Sequence, residues 1–188
     1  MTSALETLIP SLLKELEGAL RSVNPTTVDA LRQAIIAAPR IFVTGRGRSG
    51  LHMRGFAMRL MHIGRAVYVV DETTTPGIGE GDLLLIGSGS GRTASQVGHA
   101  TKAKSLNAKV GLITIAETSP MAEIADFVVR INAVTPKLEG SAASGSFQPM
   151  GTLFEQSLGL LLDLMVVQLM DDLQVTADQM FTRHANLE

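Results

Sequence analysis

Short apolar runs alternate with helix-like segments through the middle of the chain. The runs are residues 40–44, 66–70, 82–86, 109–115 and 127–131. Short runs of this kind, apolar throughout at Leu83 to Ile86, are typical of strands buried on both faces of a parallel sheet. Right-handed crossovers would place the intervening helices on both faces of the sheet. The pattern therefore predicts an α/β protein, a three-layer α-β-α sandwich around a five-stranded parallel sheet.

Helical periodicity is found at both ends of this core. Leucines and an isoleucine recur at helical spacing over residues 4–20, and a second helix is predicted from Thr26 or Thr27 to Ala37, where Pro39 stops it. A long helix over about 151–173 and a shorter one over about 176–183 precede the tail, 184–188. The apolar stripe of the N-terminal helices needs a partner surface, so we expect an arm or a dimer contact. The whole chain, 1–188, is predicted to be one domain, with a helical arm (1–39), an α/β core (40–131) and C-terminal helices (149–188).

Residues 132–148 are rich in Gly, Ser and Ala and have no period. A linker is one interpretation of this segment. Since it lies between two structured regions of one predicted domain, we favour a mobile loop near a site.

Composition narrows the class of protein. The 188 residues are 45% hydrophobic and 18% charged, which indicates a globular protein with a large core or an oligomer interface. A net charge of −2 gives no basic field, so nucleic acid is not the expected partner. The absence of cysteine excludes disulfides and is compatible with the cytoplasm. Residues 1–10 lack the features of a signal peptide, and residues 151–170 carry polar groups that would be costly in lipid. We therefore expect a soluble, cytoplasmic protein.

A Gly/Ser loop follows the third predicted strand. It reads Ser88, Gly89, Ser90, Gly91, Arg92, Thr93 and leads directly into a helix. Glycines allow close approach of the backbone, and hydroxyls with free N–H groups at a helix start form an anion site. The loop is predicted to bind the phosphate of a small substrate, although a Gly/Ser turn without a ligand remains the alternative. It lacks the spacing of a Walker A motif.

A second Gly-rich turn follows the first predicted strand. Residues 45–50 read Gly-Arg-Gly-Arg-Ser-Gly, a G-x-G-x-x-G, and Asp71 follows the next strand, as in a dinucleotide-binding fingerprint. Three observations count against NAD binding. Arg46 and Arg48 are bulky cations where such loops have small residues, a competing anion loop exists, and Asp71 belongs to a polar run. The alternative is that both loops meet at one edge of the sheet, where Arg48 and Ser49 would face the same phosphate.

Several stretches resemble a known family. Gly-Arg-Ser-Gly at 47–50 together with Ser-Gly-Ser-Gly-Arg-Thr at 88–93 resembles the sugar isomerase (SIS) domain, a phosphosugar-binding α/β fold of the Rossmann/flavodoxin type. Four more stretches are similar to the 6-phospho-3-hexuloisomerases within that family. These are Phe-Ala-Met-Arg-Leu-Met-His at 56–62, Glu-Thr-Thr-Thr-Pro at 72–76, Gln-Pro-Met-Gly-Thr-Leu-Phe-Glu-Gln at 148–156 and Arg-His-Ala-Asn-Leu-Glu at 183–188.

The resemblance implies a reaction and an assembly. That family interconverts D-arabino-hex-3-ulose 6-phosphate and D-fructose 6-phosphate in the ribulose monophosphate pathway of formaldehyde fixation. It resembles other SIS isomerases in forming homotetramers. Three positions depart from the family pattern: Arg46 and Asp71 stand where small residues are more usual, and Arg92 replaces a frequent Glu. Because no hydroxyl of the loop is lost, we expect these departures to affect only the affinity for the substrate.

Moving a carbonyl between neighbouring carbons requires a positioned base and no metal or redox cofactor. Glu155, at the start of an apolar helix that would desolvate it and raise its pKa, is the predicted base and matches the family's catalytic glutamate. Its alternative interpretation is a first-turn acid favoured by the helix dipole. His184 is the second catalytic candidate, as a proton shuttle, and the resemblance implies that it acts within or across subunits. A histidine that caps the last helix is its alternative.

Arg48 and three further histidines are the remaining charged or titratable candidates. Arg48 is predicted to pair with the phosphate or polarise a developing oxyanion, with a structural ion pair as the alternative. The other histidines, His52, His62 and His99, have no ligand spacing among them, so no metal site is predicted. A non-catalytic sugar-phosphate sensor is a second functional class, and an NAD-dependent enzyme a third.

Overall fold

The computed structural model describes residues 4–135 and 146–187. In these parts of the chain, five strands and seven helices follow one another in the order that the hydrophobic pattern predicts. The elements are α1 (Ala4–Arg21), α2 (Pro25–Ala37), β1 (Ile41–Gly45), α3 (Gly47–Ile63), β2 (Val67–Val69), β3 (Leu83–Gly87), α4 (Ala94–Ser105), β4 (Lys109–Thr114), α5 (Pro120–Ile124), β5 (Phe127–Arg130), α6 (Thr152–Asp172) and α7 (Ala177–Phe181).

The five strands form one parallel sheet in the order β2-β1-β3-β4-β5. The chain leaves β1 for β2 at one edge and then returns past β1 to β3. The carboxyl ends of β1 and β3 therefore lie side by side, with Gly45 aligned to Gly87, and the loops that follow them diverge to opposite faces. Open α/β sheets bind their ligands at such a switch point.

Residues of the central strands alternate between two apolar layers. Ile41 and Val43 pack with α2, α3 and α6 on one face of the sheet, and Phe42 packs with α4 and α5 on the other. Every residue of β3 is buried, as its continuous apolar run predicts. The predicted three-layer α-β-α sandwich is confirmed.

Two sequence features fix the start and the end of β1. Arg40, just before the strand, donates two hydrogen bonds to the carboxylate of Asp82, which is only 1% exposed and also accepts from the backbone N–H of Gly79. At the other end, the glycines Gly45 and Gly50 touch backbone to backbone, so that a Cβ on Gly50 would lie 2.6 Å from the Gly45 carbonyl oxygen. These glycines allow α3 to start directly against the strand.

Helix α6 has the length and apolarity of a membrane span, but half of its apolar window is buried inside the protein. The buried side chains include Phe154, Leu158 and Met165, which face α3 and the sheet. The prediction of a buried helix is thus confirmed for this inner face. Its outer side still exposes an apolar stripe of Leu160, Leu164 and Val167. Such a stripe is consistent with the expected oligomer contact, which stays a prediction.

Two further expectations concern loops and ends. Helix α2 begins at Pro25, with Asn24 as its cap, one or two residues before the predicted start at Thr26 or Thr27. Of the segment 132–148 predicted as a mobile loop, residues 132–135 and 146–148 have no regular structure, and 136–145 lie outside the described residues.

Candidate active site

A cleft of about 380 Å³ opens at the switch point. This volume is in the range of small-molecule sites. The cleft brings together seven of the predicted site residues from three separate parts of the chain: Arg48, Ser49, Ser88, Gly89, Ser90, Thr93 and Glu155. The expectation that the two Gly-rich loops meet at one edge of the sheet is therefore met by the structure.

Three helices begin at this cleft. Arg46, Thr93 and Gly151 are the N-cap residues of α3, α4 and α6, and all three line the cleft. None of the three caps its helix with a side-chain hydrogen bond. By contrast, side chains cap α2, α5 and α7, at Asn24, Ser119 and Thr176. The N–H group of Thr152 donates to the Pro149 carbonyl oxygen and that of Gln96 to the Thr93 carbonyl oxygen. No cap side chain blocks the starts of these helices, so an anion, which the helix dipoles also favour, can approach them.

The Gly/Ser loop requires glycine at position 91 and leaves little room for a side chain at position 89. Gly91 has a φ of +61°, and a Cβ there would lie 2.1 Å from the Ser119 hydroxyl. A Cβ on Gly89 would lie 3.2 Å from the Phe154 ring. The carbonyl oxygen of Gly89 also accepts a hydrogen bond from Thr114. The loop is thus held tightly between α5 and α6, in a shape that presents Ser88 and Ser90 to the cleft.

Two predicted residues of this loop do not line the cleft. Gly91 is buried against Ser119, and the guanidinium of exposed Arg92 lies 3.5 Å from the carbonyl oxygen of Thr118. Gly91 therefore shapes the loop. The predicted phosphate contact of Arg92 would require its side chain to leave Thr118.

Glu155 lies in the first turn of α6 on the cleft wall. Its Oε2 is 3.2 Å from Nη1 of Arg48, which also donates to the Thr152 hydroxyl at 3.4 Å. The Glu155 side chain is 21% exposed, so a ligand in the cleft can reach it. The pair joins α3 to α6 across the site and places a carboxylate and a cation side by side, as proton abstraction next to a carbonyl requires.

His52, one turn after Arg48 on α3, packs against α6. A Cβ on Gly159 would lie 2.5 Å from its Nδ1, so the glycine makes room for the ring. Burial lowers the pKa of His52, and Arg48 lowers it further, while Glu155 and Asp163 on α6 raise it. The pKa of His52 therefore depends on the charges of Arg48 and Glu155, although His52 does not line the cleft.

This response gives a prediction for NMR. We expect His52 to titrate below its ordinary pKa of about 6.5. Arg48→Met should raise the midpoint and Glu155→Gln should lower it, because each removes one of the opposing charges. Since the unfolded chain binds this proton more readily, the contribution of His52 to stability is present above about pH 6.5 and declines as the pH falls. A midpoint that neither substitution moves would contradict the arrangement.

His184 lies far from Glu155 within its own chain. Its ring stacks on His62, with ring centres 5.3 Å apart, and on Phe181 at 5.9 Å. His62 is in the last turn of α3, whose 17 residues begin at the cleft, so the two ends are about 24 Å apart. The structure does not bring the two predicted catalytic residues together in one subunit. A role for His184 at the site requires that it come from a neighbouring subunit.

The other histidines have structural surroundings. His62 is 3% exposed, and burial lowers its pKa, with Arg59 and His184 adding to the effect. His99 lies on α4 with its Nε2 3.9 Å from Asp71. Within residues 4–135 and 146–187, no three His, Asp or Glu side chains are grouped as a metal site would need.

Residues of the G-x-G-x-x-G fingerprint have structural roles that do not involve a dinucleotide. Gly45 and Gly50 provide the contact between β1 and α3. Asp71, which would hold the ribose in a dinucleotide site, forms an ion pair with Arg46. Gly45, Gly50 and Asp71 are thus accounted for by packing and by this ion pair.

Sequence reasoning missed several residues of the cleft wall. They are Gln96, Ile115, Thr135, Met150 and Phe154. Gln96 is 1% exposed, and its Nε2 has no hydrogen-bond partner among the described residues. Its position three residues after Thr93, in the first turn of α4, is the sequence signal that could have identified it.

Comparison with known proteins agrees with this geometry. The model of the SIS domain matches residues 34–158, which include both Gly-rich loops and Glu155. The chain belongs to the SIS-domain family. Among SIS proteins, it is 41% identical to a Bacillus subtilis 3-hexulose-6-phosphate isomerase over 96% of this chain and 97% of that one. It is 43% identical to a 3-hexulose-6-phosphate isomerase of Mycobacterium gastri, over 93% and 86% of the two chains.

A solved structure gives the same result for the fold. A Methanococcus jannaschii protein, whose crystal structure led to an inferred function of 3-hexulose-6-phosphate isomerase, is 34% identical with a TM-score of 0.83. The match covers 97% of this chain and 99% of that chain. The resemblance of the sequence motifs to the SIS family is therefore confirmed over nearly the whole chain.

Proposed function

We propose that this SIS protein interconverts D-arabino-hex-3-ulose 6-phosphate and D-fructose 6-phosphate. The observation that carries the proposal is that the Arg48–Glu155 pair and the Gly/Ser loop line one cleft. Full-length similarity to 3-hexulose-6-phosphate isomerases supports this substrate among the phosphosugars.

The phosphate is bound at the Gly/Ser loop. Ser88, Ser90 and Thr93 supply hydroxyls, and the uncapped starts of α3 and α4 supply N–H groups. Ser49, buried in the first turn of α3, completes this end of the cleft. The sugar carbons then extend towards α6, where the carboxylate of Glu155 lies.

Isomerisation follows by two proton transfers at neighbouring carbons. The Glu155 carboxylate takes the proton from C2 of the hexulose, the C2–H electron pair forms the C2=C3 bond, and the C3 carbonyl oxygen is protonated. The C2 hydroxyl of this enediol then loses its proton and becomes the carbonyl, while the Glu155 carboxyl returns a proton to C3. No external oxidant is needed, because one carbon is oxidised as the other is reduced. Arg48 stabilises the negative charge on oxygen in the transition state.

The assembly and setting are part of the same proposal. The exposed apolar stripe on α6 and apolar side chains on α1 and α3 support a homo-oligomer, which we propose to be a tetramer. In it, His184 of one subunit would reach the cleft of another and move protons between sugar oxygens. We propose a cytoplasmic enzyme of the ribulose monophosphate pathway of formaldehyde fixation.

A coupled assay tests the activity. We expect purified protein supplied with enzymatically prepared hexulose 6-phosphate to release fructose 6-phosphate, and to leave unphosphorylated fructose unchanged because the loop then has no anion to hold. Absence of turnover combined with tight binding of fructose 6-phosphate would instead identify a sugar-phosphate sensor. Binding of NAD in the same cleft would point to the third class.

A further inference from the structure

Two arginines at the start of α3, the N-cap residue Arg46 and Arg48 in the first turn, extend in different directions. Arg48 reaches Glu155 on α6. Arg46 extends towards α4 and β2: its Nη2 lies 2.9 Å from Oδ2 of Asp71, and its Nε donates to the Ser95 hydroxyl at 3.2 Å. Arg46 and Arg48 thus contact opposite walls of the cleft.

The contact with Ser95 places Arg46 at the phosphate end. Ser95 is in the first turn of α4, two residues after Thr93 of the Gly/Ser loop. Arg46 itself lines the cleft, and its side chain is 49% exposed, so an anion held by the loop can reach the guanidinium. With Arg48 engaged by Glu155, Arg46 is the cation on the α4 side of the cleft.

The contribution of Asp71 to the stability of the fold does not explain why an aspartate occupies this position. It has a φ of +75°, a left-handed conformation that is costly for a residue with a side chain. Its ion pair with Arg46 is about half exposed, and exposed pairs add little to stability. His99 also faces Asp71, with its Nε2 3.9 Å from the carboxylate.

We propose that Arg46 is a substrate-binding residue that contacts the phosphate, and that Asp71 is a positioning residue that holds Arg46 beside the Gly/Ser loop. The inference rests on the proposed function for the identity of the ligand, a sugar phosphate. An arginine suits this place because its planar fork can donate to a phosphate while other N–H groups remain bonded to Asp71 and Ser95.

Steady-state kinetics of Arg46→Gln, Asp71→Asn and the double variant test the proposal. Arg46→Gln should raise KM about tenfold, since a charge-assisted hydrogen bond is lost, and should change kcat less than about twofold. Asp71→Asn, which keeps the shape and tolerates the left-handed backbone, should raise KM about threefold. In the double variant, the Asn should add nothing to the effect of Gln, because Asp71 acts only through Arg46.

Arg21→Gln is the matched control. It removes one positive charge from an exposed ion pair with Glu17 on α1, and neither residue lines the cleft. Its KM should equal that of the wild type. An unchanged KM in Arg46→Gln would overturn the proposal, as would an equal effect of Asp71→Asn with and without Arg46.

Calorimetry with fructose 6-phosphate separates this inference from the proposed function. If the wild type binds fructose 6-phosphate about tenfold more tightly than Arg46→Gln but does not turn it over, the inference holds and the isomerase assignment fails. If the wild type is active and Arg46→Gln binds equally well, the inference alone fails.

Discussion

Glu155→Gln is expected to lower kcat about 10³-fold while leaving the KM for hexulose 6-phosphate within about threefold. A positioned general base contributes about 10²- to 10⁴-fold to rate, and glutamine keeps the size and polarity of the side chain without the ability to take a proton. The phosphate loop, which supplies the binding energy, is unchanged by the substitution. The measurement is steady-state kinetics by the coupled assay in the direction of fructose 6-phosphate formation.

Asp163→Asn provides the control for this substitution. Asp163 is an exposed acid two turns further along α6 that does not line the cleft. Asp163→Asn removes the same charge from the same helix as Glu155→Gln does, and we expect this variant to retain nearly full activity. Equal losses in both variants would assign the effect to the charge of the helix rather than to a base. Full activity in Glu155→Gln would exclude Glu155 as the base.

Gly50→Ala is expected to lower the free energy of unfolding by about 3 kcal/mol, at the upper end of the effect of overpacking. The new Cβ would lie 2.6 Å from the carbonyl oxygen of Gly45, and neither backbone can move without separating α3 from β1. Denaturant unfolding followed by circular dichroism measures the change.

The same substitution at Gly98 should have the opposite sign. Gly98 lies inside α4 with nothing within 4 Å of its added Cβ, so Gly98→Ala should raise the free energy of unfolding by about 0.5–1 kcal/mol through helix propensity. If Gly50→Ala were as well tolerated, the glycines of the G-x-G-x-x-G turn would not be there for packing, and a ligand would have to explain them.

The sequence was sufficient to predict the sheet and the residues that follow its strands. Apolar runs such as the one from Leu83 to Ile86 are unambiguous, because a strand buried on both faces has few polar positions. The place of Glu155 beside the two loops followed from family motifs. Its spacing from Ser88 or Arg48 in the sequence does not predict this position, because the contact between Arg48 and Glu155 joins segments more than a hundred residues apart.

Pairings between side chains depended on strand order, which the pattern does not determine. Asp71 meets Arg46 because β2 lies next to β1 at the edge of the sheet. Arg48, in the same segment, reaches α6 and forms an ion pair with Glu155. His184 could not be placed from the sequence either, because the position of a terminal segment depends on where α7 docks, beside the last turn of α3.

Hydrogen exchange at carbon tests the central claim, proton transfer by Glu155, most directly. Fructose 6-phosphate is incubated in D₂O with wild-type protein or with Glu155→Gln, and the proton at C3 is followed by NMR. We predict that the C3 signal disappears with the wild type, as deuterium enters through the enediol, and persists with Glu155→Gln. Exchange at the same rate with both proteins would contradict the account.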